Sequence, residues 1–174
     1  MAQIPTDLHT HLAWQFDSVL PGHFSRAKSD YADIEFPILS PLPDRKSSTR
    51  PREGADQSGP FVYLVVDRHG DVQYIGKTKE KTVIKRWVRP GVGGPASHYW
   101  SHTNKRAGCV RRIAAGILAG HGPYQLRFTS AALMPRENVE RFAQLYPHLD
   151  ALEQIEKGLM SALRPGWNDT GTYR

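Results

Sequence analysis

The sequence VQYIGKTK, residues 72–79, alternates through its first four residues and then ends at a glycine followed by two lysines and a threonine. The apolar run FVYLVV, residues 61–66, precedes it, and the segment between them carries a turn signal at His69-Gly70. Two such runs joined by a short glycine-containing turn are typical of a β-hairpin. We therefore predict a hairpin whose second strand presents a tyrosine, a glycine and positive charge at its end.

Helices and one further strand are predicted after the hairpin, because apolar residues recur with helical spacing or with the two-residue spacing of a strand. The predicted elements are a short helix over residues 82–88, a glycine-rich loop over 88–102, a helix over 107–119 capped by Asn104 and stopped by Gly120 and Gly122, a strand over 124–130, and helices over 136–145 and 148–163. The pattern predicts an α/β fold of the α+β type, in which helices flank a small, mainly antiparallel sheet of three strands.

Residues 1–58 differ in composition from the rest of the chain. Leu8, Leu12 and Phe16 recur at helical spacing, which predicts a helix over residues 6–20. A proline-broken segment follows, and residues 40–60 are rich in Pro, Ser and Gly, as in a linker. We therefore divide the chain into an N-terminal helix, arm and linker over 1–58 and a main domain over 59–174.

The distribution of charge favours a polyanionic partner. The 174 residues include 23 Lys and Arg against 17 Asp and Glu, a formal net charge of +6. From Lys77 to Arg112 there are ten basic residues and one acid, Glu80. Such a density attracts a phosphate backbone, because each neutralised phosphate releases counterions. A solvated basic face has the same composition, so charge alone leaves both interpretations open.

Cysteine content and hydropathy limit the classes of protein to consider. The single cysteine, Cys109, excludes an intramolecular disulfide and a multi-cysteine zinc site. No run of about 18 apolar residues is present, and the first residues lack the pattern of a signal peptide. We therefore expect a cytoplasmic protein that makes no contact with a membrane.

The tripeptide Gly76-Lys77-Thr78 matches the end of the phosphate-binding pattern GxxxxGK[ST]. That pattern needs a glycine where this chain has Asp71, and it needs a glycine-rich loop where residues 72–75 alternate like a strand. The sequence therefore argues against a nucleotide-hydrolysing P-loop.

The pair His9 and His11 has the spacing of a metal-binding His-x-His motif. The amidohydrolase barrel that uses this motif needs about 250 residues, and on a helix the two side chains would point in different directions. We therefore interpret them as surface histidines.

Glu156 lies within the apolar face of the predicted last helix. An ionised carboxylate there is costly unless it is paired with a cation or a metal ion. Two interpretations remain open: the carboxylate reaches solvent or a neighbouring lysine, or it holds one Mg²⁺ ion whose remaining ligands are water and phosphate oxygens. Glu153, at the edge of the same face, is the spare candidate.

Five features occur in an order that resembles the GIY-YIG nuclease family: Tyr63, the YIG of residues 74–76, Arg86, Glu156 and Asn168. Ten residues separate Tyr63 from Tyr74, and Arg86 follows in IKRW. The segment EKGLMSALRPGWN, residues 156–168, has the E-x-x-L-[IM] and P-x-x-N pattern of the family. The resemblance covers residues 59–170, about two thirds of the chain.

The chain departs from the family pattern in three places. Phe61 and Val62 replace the Gly and Ile of the first motif, and Arg86 lies about two residues later than in compact members. The histidine often found a turn after that arginine is missing, so either His98 or His102 would have to supply it.

The resemblance implies roles for the residues around the hairpin. Tyr63 is implied as the general base, with Tyr74 orienting water or phosphate, although the sequence leaves open which tyrosine takes the proton. A tyrosine with its ordinary pKa near 10 needs help to act at neutral pH, and the charge of Lys77 would lower that pKa. Asn168 is implied to hydrogen-bond the motif strand or Tyr74 and to hold the site together.

The resemblance also implies a catalytic domain over residues 59–174 that uses Mg²⁺, with Mn²⁺ as a substitute. Glu156 would hold the metal ion, and Arg86 would grip the nonbridging phosphate oxygens with its planar guanidinium. The implied activity is hydrolysis of DNA phosphodiester bonds to 5′-phosphate and 3′-hydroxyl ends.

A compact nuclease core with an arm resembles the stand-alone restriction endonucleases of the family, so the sequence favours a sequence-specific type II enzyme that binds double-stranded DNA as a homodimer. Candidate DNA-binding residues are Lys79, Lys85, Lys105, Arg106, Arg111 and Arg112. Two alternatives stay open: a binding module of the same fold without catalysis, and a non-specific or nicking nuclease of a mobile element, repair system or antibacterial effector.

Overall fold

The computed structural model of the protein describes residues 3–24, 34–40, 59–80, 82–83, 88–91, 94–98 and 109–168. These residues form an α+β arrangement, with a 3₁₀ turn at Ala131–Leu133. In chain order the elements are β1 (His11–Phe16), β2 (Ser18–Phe24), β3 (Ile34–Ser40), β4 (Phe61–Val66), β5 (Val72–Thr78), β6 (Val88–Gly91), β7 (Gly94–His98), α1 (Cys109–Leu118), β8 (Tyr124–Ser130), α2 (Arg136–Leu145) and α3 (Ala151–Leu163).

The main sheet has four strands in the order β1-β8-β4-β5, and every neighbouring pair is antiparallel. In the described part of the chain, β2 pairs with β3 and β6 with β7 in two smaller antiparallel ribbons. The mixed α+β class is as predicted, but the main sheet has four strands rather than three. The additional strand, β1, comes from the N-terminal region.

The central strand β4 is buried on both of its faces, which explains why its sequence is an unbroken apolar run. On one face, Tyr63 belongs to an apolar cluster with Ile113 of α1. On the other face, Leu64 belongs to a second cluster with Ile155 of α3. The hairpin that carries the two tyrosine motifs is therefore packed against an apolar cluster on each of its faces.

The helix predicted over residues 6–20 is wrong, because residues 11–16 form β1, residues 18–20 begin β2, and residues 6–10 lie in a turn and an irregular segment before β1. Leu8, Leu12 and Phe16 fit helical spacing, but Leu12, Trp14 and Phe16 also alternate as in a strand. The strand pattern is the one adopted, because β1 pairs with β8 and the backbone hydrogen-bonding groups of β1 thereby find partners. In this pairing Trp14 lies opposite Leu126. Tertiary pairing thus outweighed a helical spacing in a short apolar segment.

The loop predicted over residues 88–102 is also partly wrong, since β6 and β7 pair there with Val88 opposite His98. The helix predicted over 82–88 falls mostly outside the described residues, and Val88 belongs to β6 instead. The predicted turn of the main hairpin is confirmed, because the Gly70 N–H donates to the Asp67 carbonyl and Gly70 has a φ of +85°.

The three later helices are confirmed, with small changes at their ends. The predicted Asn104 cap of α1 lies outside the described residues, and Gly120 follows that helix with a left-handed φ of +80°. Helix α3 begins later than predicted because Asp150 caps it, its carboxylate accepting the Glu153 N–H at 2.9 Å. None of the helices in the described part of the chain is long and apolar enough to cross a membrane.

Candidate active site

Tyr63 of β4 lies directly opposite Gly76 of β5, and its ring covers that glycine. A Cβ atom at residue 76 would lie 2.6 Å from both Cζ and Oη of Tyr63, which is too close for any side chain. The ring of Tyr74, on the same face of β5, has its centroid 6.3 Å from that of Tyr63. Tyr63 is only 2% exposed, whereas Tyr74 is partly exposed. The structure therefore brings the two tyrosines and the motif glycine together on one face of the sheet.

Asn168 is hydrogen-bonded to the outer edge of β5. Its Oδ1 accepts the N–H of Ile75 at 2.8 Å, and its Nδ2 donates to the carbonyl of Ile75 at 2.7 Å. Since β5 is the last strand of the sheet among the described residues, these two bonds replace those that a neighbouring strand would make. The expected hydrogen bond between Asn168 and the motif strand is therefore present.

The turn that bears Asn168 is held by contacts of its neighbour Trp167. The Trp167 N–H donates to the carbonyl of Gln73 in β5 at 2.9 Å. The indole lies 5.4 Å from the ring of Tyr124, centroid to centroid, and the Trp167 carbonyl accepts from Nη1 of Arg112 at 2.9 Å. Arg112 thus has a partner within the protein, and its role in DNA binding stays a prediction. Sequence reasoning missed Trp167, although it lies inside the P-x-x-N pattern.

The ammonium of Lys77 lies between two carboxylates of α3. Its Nζ is 2.8 Å from Oε1 of Glu153 and 3.0 Å from Oε2 of Glu156. Partial burial lowers the pKa of Lys77, but hydrogen bonds to Glu153 and Glu156 and their negative charge outweigh burial and raise it above its ordinary value. Of the two interpretations of Glu156 given above, pairing with a neighbouring lysine is the one present in the structure, and that lysine is Lys77.

The tyrosines and the carboxylates lie on opposite faces of β5. Gly76 faces Tyr63, and the next residue, Lys77, points to the other face because side chains alternate along a strand. Ile75 confirms the alternation, since it packs in the cluster of α3. The contacts of Lys77 are with carboxylates, and its proposed effect on the pKa of Tyr63 stays a prediction.

Lys79 follows β5 and pairs with the cap of α3, its Nζ lying 3.2 Å from Oδ2 of Asp150. The N–H of Glu153 and then Lys79 hold the pKa of Asp150 below its ordinary value. An open groove of about 400 Å³ runs beside this pair and is lined by Lys77, Thr78, Lys79, Glu80 and Leu152. Lys79 is well exposed there and accessible to a phosphate group.

Glu153 and Glu156 have the chemistry that a hard divalent cation requires. One oxygen of each converges on the same positively charged atom, and Mg²⁺ is commonly held by one or two carboxylates together with water and substrate phosphates. Among the described residues, no group of three or more His, Cys, Asp or Glu side chains converges. A metal ion held here would therefore take its other ligands from water and phosphate.

The other predicted site residues are only partly located. Five of them lie outside the described residues: Lys85, Arg86, His102, Lys105 and Arg106. His98 is the last residue of β7, and Arg111 lies on α1 next to Arg112. His9 is exposed, and His11 begins β1 rather than a helix, with its ring 5.7 Å from Phe128.

The chain was compared with protein-family models, curated proteins and solved structures, and none of them matches it.

Proposed function

We propose that the protein is a divalent-metal-dependent DNA endonuclease that hydrolyses phosphodiester bonds to 5′-phosphate and 3′-hydroxyl ends. One observation carries the proposal: residues chosen from separate sequence motifs meet around β5. Asn168 binds Ile75 across 93 positions of the chain, Glu156 approaches Lys77, and Tyr63 covers Gly76. These contacts link the motifs through β5, with the tyrosines on one of its faces and the carboxylates on the other.

The two tyrosines would supply the general base on one face of β5. Tyr74 is the more accessible of the two phenols, whereas Tyr63 is 2% exposed and rests on Gly76. Either phenol needs a lowered pKa to accept a proton at neutral pH, and a nearby positive charge is the usual means. We propose Tyr63 as the base, with Tyr74 orienting water or phosphate, and Arg86 as the group that grips the phosphate.

Glu156, with Glu153 beside it, would hold Mg²⁺ or Mn²⁺ at the other face. When bound, the metal ion would neutralise charge on the phosphate and on the leaving 3′ oxygen. The chain's own residues would position the carboxylates before the metal ion binds: Lys77 pairs with Glu156, and Lys79 pairs with Asp150, the cap of α3. Lys79, which is exposed beyond the end of β5, would bind a phosphate group beside these carboxylates.

Lys79 and the basic residues proposed above would bind the DNA backbone, since phosphate contacts fix the position of the protein while base contacts supply specificity. We propose a sequence-specific type II restriction endonuclease, acting as a homodimer because both strands must be cut. Sequencing the ends of digested plasmid tests this form of the activity. Discrete cut sites support it, and scattered nicks indicate a non-specific or nicking nuclease.

The decisive experiment replaces Glu156 by glutamine, which keeps the shape of the side chain and removes its charge. We expect Mg²⁺-dependent cleavage of supercoiled plasmid to fall at least about 100-fold, with DNA binding in a gel-shift assay largely retained. Glu140→Gln is the matched control, because Glu140 is an exposed glutamate of α2 paired only with Arg136 in the described contacts. Undiminished cleavage by Glu156→Gln would contradict the site.

A nucleic-acid-binding module without catalysis is the second candidate. It is favoured by the burial of Tyr63 and by the ammonium of Lys77 lying against both candidate metal ligands. Wild-type protein that retards DNA but never cuts it with Mg²⁺ or Mn²⁺ would establish this alternative.

A further inference from the structure

The carboxylates of Glu153 and Glu156 are one turn apart on α3 and share a single cation. Lys77 Nζ lies 2.8 Å from one and 3.0 Å from the other, so the ammonium is centred between them. Their side chains are partly buried, with Glu156 at 16% and Glu153 at 39% exposure. Two partly buried carboxylates that both lie within about 3 Å of one atom would repel each other without a cation between them.

A divalent cation and the ammonium would compete for the same oxygens. Mg²⁺ binds oxygen at about 2.0–2.1 Å, so an ion held by both carboxylates would occupy the space where Nζ lies. Both cations cannot remain there, because their charges repel strongly at such a short distance. The Glu153 side chain is 39% exposed, so the water molecules that Mg²⁺ keeps among its ligands can reach the site.

We propose that the Lys77 ammonium is an internal occupant of the cation site, and that a divalent metal ion binds Glu153 and Glu156 together only by displacing it. The inference rests on the proposed metal-binding role of Glu156 and Glu153 and adds Lys77 to it. Lys77 becomes a positioning residue that holds the two carboxylates in place before the metal ion arrives. Metal affinity in the absence of DNA is then set by competition with the chain's own lysine.

Mn²⁺ binding without DNA tests the competition directly, with free Mn²⁺ measured by electron paramagnetic resonance. We expect Lys77→Met to bind Mn²⁺ about tenfold more tightly than wild type, since a repelling charge is removed from the site. Lys79→Met is the matched control: it removes the same charge two residues away, from an ammonium that contacts Asp150 instead. Its affinity should stay within about twofold of wild type. Unchanged or weaker binding by Lys77→Met would overturn the proposal.

The ligand assignment is tested in the Lys77→Met background. Adding Glu153→Gln or Glu156→Gln should each abolish the gain in Mn²⁺ affinity. If Glu153→Gln leaves the gain intact, the two-carboxylate site is wrong. Circular dichroism of each variant without metal shows whether it is folded.

Wild-type protein offers a measurement that needs no substitution. The Lys77 ammonium should give a distinct ¹⁵Nζ resonance, because two carboxylates hold it and slow its exchange with water. Adding Mg²⁺ should shift or remove this resonance while leaving that of Lys79 nearly unchanged. A Lys77 resonance that does not respond to saturating Mg²⁺, in protein that binds the ion, would overturn the displacement.

Failure of this inference and failure of the proposed function give different results. Protein that cuts DNA, but whose Lys77→Met variant gains no Mn²⁺ affinity, disproves the competition and leaves the nuclease standing. Protein that never cuts DNA, but whose variant gains affinity through both glutamates, supports the cation site and disproves the nuclease.

Discussion

Asn168 hydrogen-bonds both backbone groups of Ile75, at 2.8 and 2.7 Å. One side-chain amide thereby completes the outer edge of the strand that carries Tyr74, Gly76 and Lys77. The positions of these three candidate site residues therefore depend on a residue 93 positions away along the chain.

Asn168→Ala removes both bonds and leaves the N–H and carbonyl of Ile75 without their partner. We expect the free energy of unfolding to fall by about 2–3 kcal/mol, because buried backbone groups that lose hydrogen bonds are costly. Urea denaturation at neutral pH measures the change. Asn138→Ala is the control, since the Asn138 amide bonds Asp7 in an exposed position, and it should cost less than about 0.5 kcal/mol. Equal losses in the two variants would contradict the role given to Asn168.

Gly76→Ala forces the Tyr63 ring away from β5, because the added Cβ would lie 2.6 Å from its Cζ. We expect a loss of about 1–3 kcal/mol of stability, as for other overpacked sites, and a large fall in plasmid cleavage. In a Tyr63→Ala background, the stability cost of the same substitution should shrink, since the ring is absent. Equal costs in the two backgrounds would show that the clash is not the cause.

Gly158→Ala tests the packing of α3 on α2. A Cβ at residue 158 would collide with the ring of Phe142, which is buried in the apolar cluster that also contains Ile155 of α3. Alanine stabilises a helix by about 1 kcal/mol relative to glycine, yet we expect net destabilisation, by about 1–3 kcal/mol. Thermal unfolding measures it. Gly166→Ala is the control, since a Cβ there has nothing within 4 Å, and a melting temperature for Gly158→Ala above that of wild type would refute the close contact.

Asp150→Asn gives a pH-dependent change in stability. The substitution keeps an oxygen acceptor for the N–H of Glu153 and removes the charge that pairs with Lys79. A carboxyl whose pKa is lower in the folded protein contributes stability above its unfolded value, ordinarily 3.8, and loses it as pH falls through the folded value. Wild type should therefore melt above the variant by a constant margin from about pH 5 to 7, and the margin should vanish in strong acid. A margin that persists at low pH would rule out the charge as its cause.

Sequence patterns predicted the hairpin, β8 and the later helices because each has a single clear periodicity. The run FVYLVV is apolar throughout because β4 is buried on both faces, and α3 repeats its apolar residues every three or four positions. The N-terminal strand was missed because Leu8, Leu12 and Phe16 fit a helix as well as Leu12, Trp14 and Phe16 fit a strand. Only the pairing partner, β8, distinguishes the two patterns, and local sequence does not show it.

The candidate site was predicted residue by residue but not in its geometry. The bond between Asn168 and the motif strand was expected from the resemblance. The contact of Lys77 with both Glu153 and Glu156 was not, because it depends on how α3 packs against β5. Because side chains alternate along β5, Lys77 lies on the face of the strand that is turned away from the tyrosines. This alternation can be read from the sequence once the strand has been assigned.

The pairing of β1 with β8 limits how far the protein can be truncated for biochemical work. A chain begun at residue 59 would lack β1, and β8 would become an open edge strand, prone to pair with other chains. It would also lack Phe16, which is 1% exposed in the cluster that contains Tyr63. Gln3 reaches as far as Asp71 in the hairpin turn through an isolated bridge. Protein expressed for the assays above should therefore include the sequence from Gln3 onward.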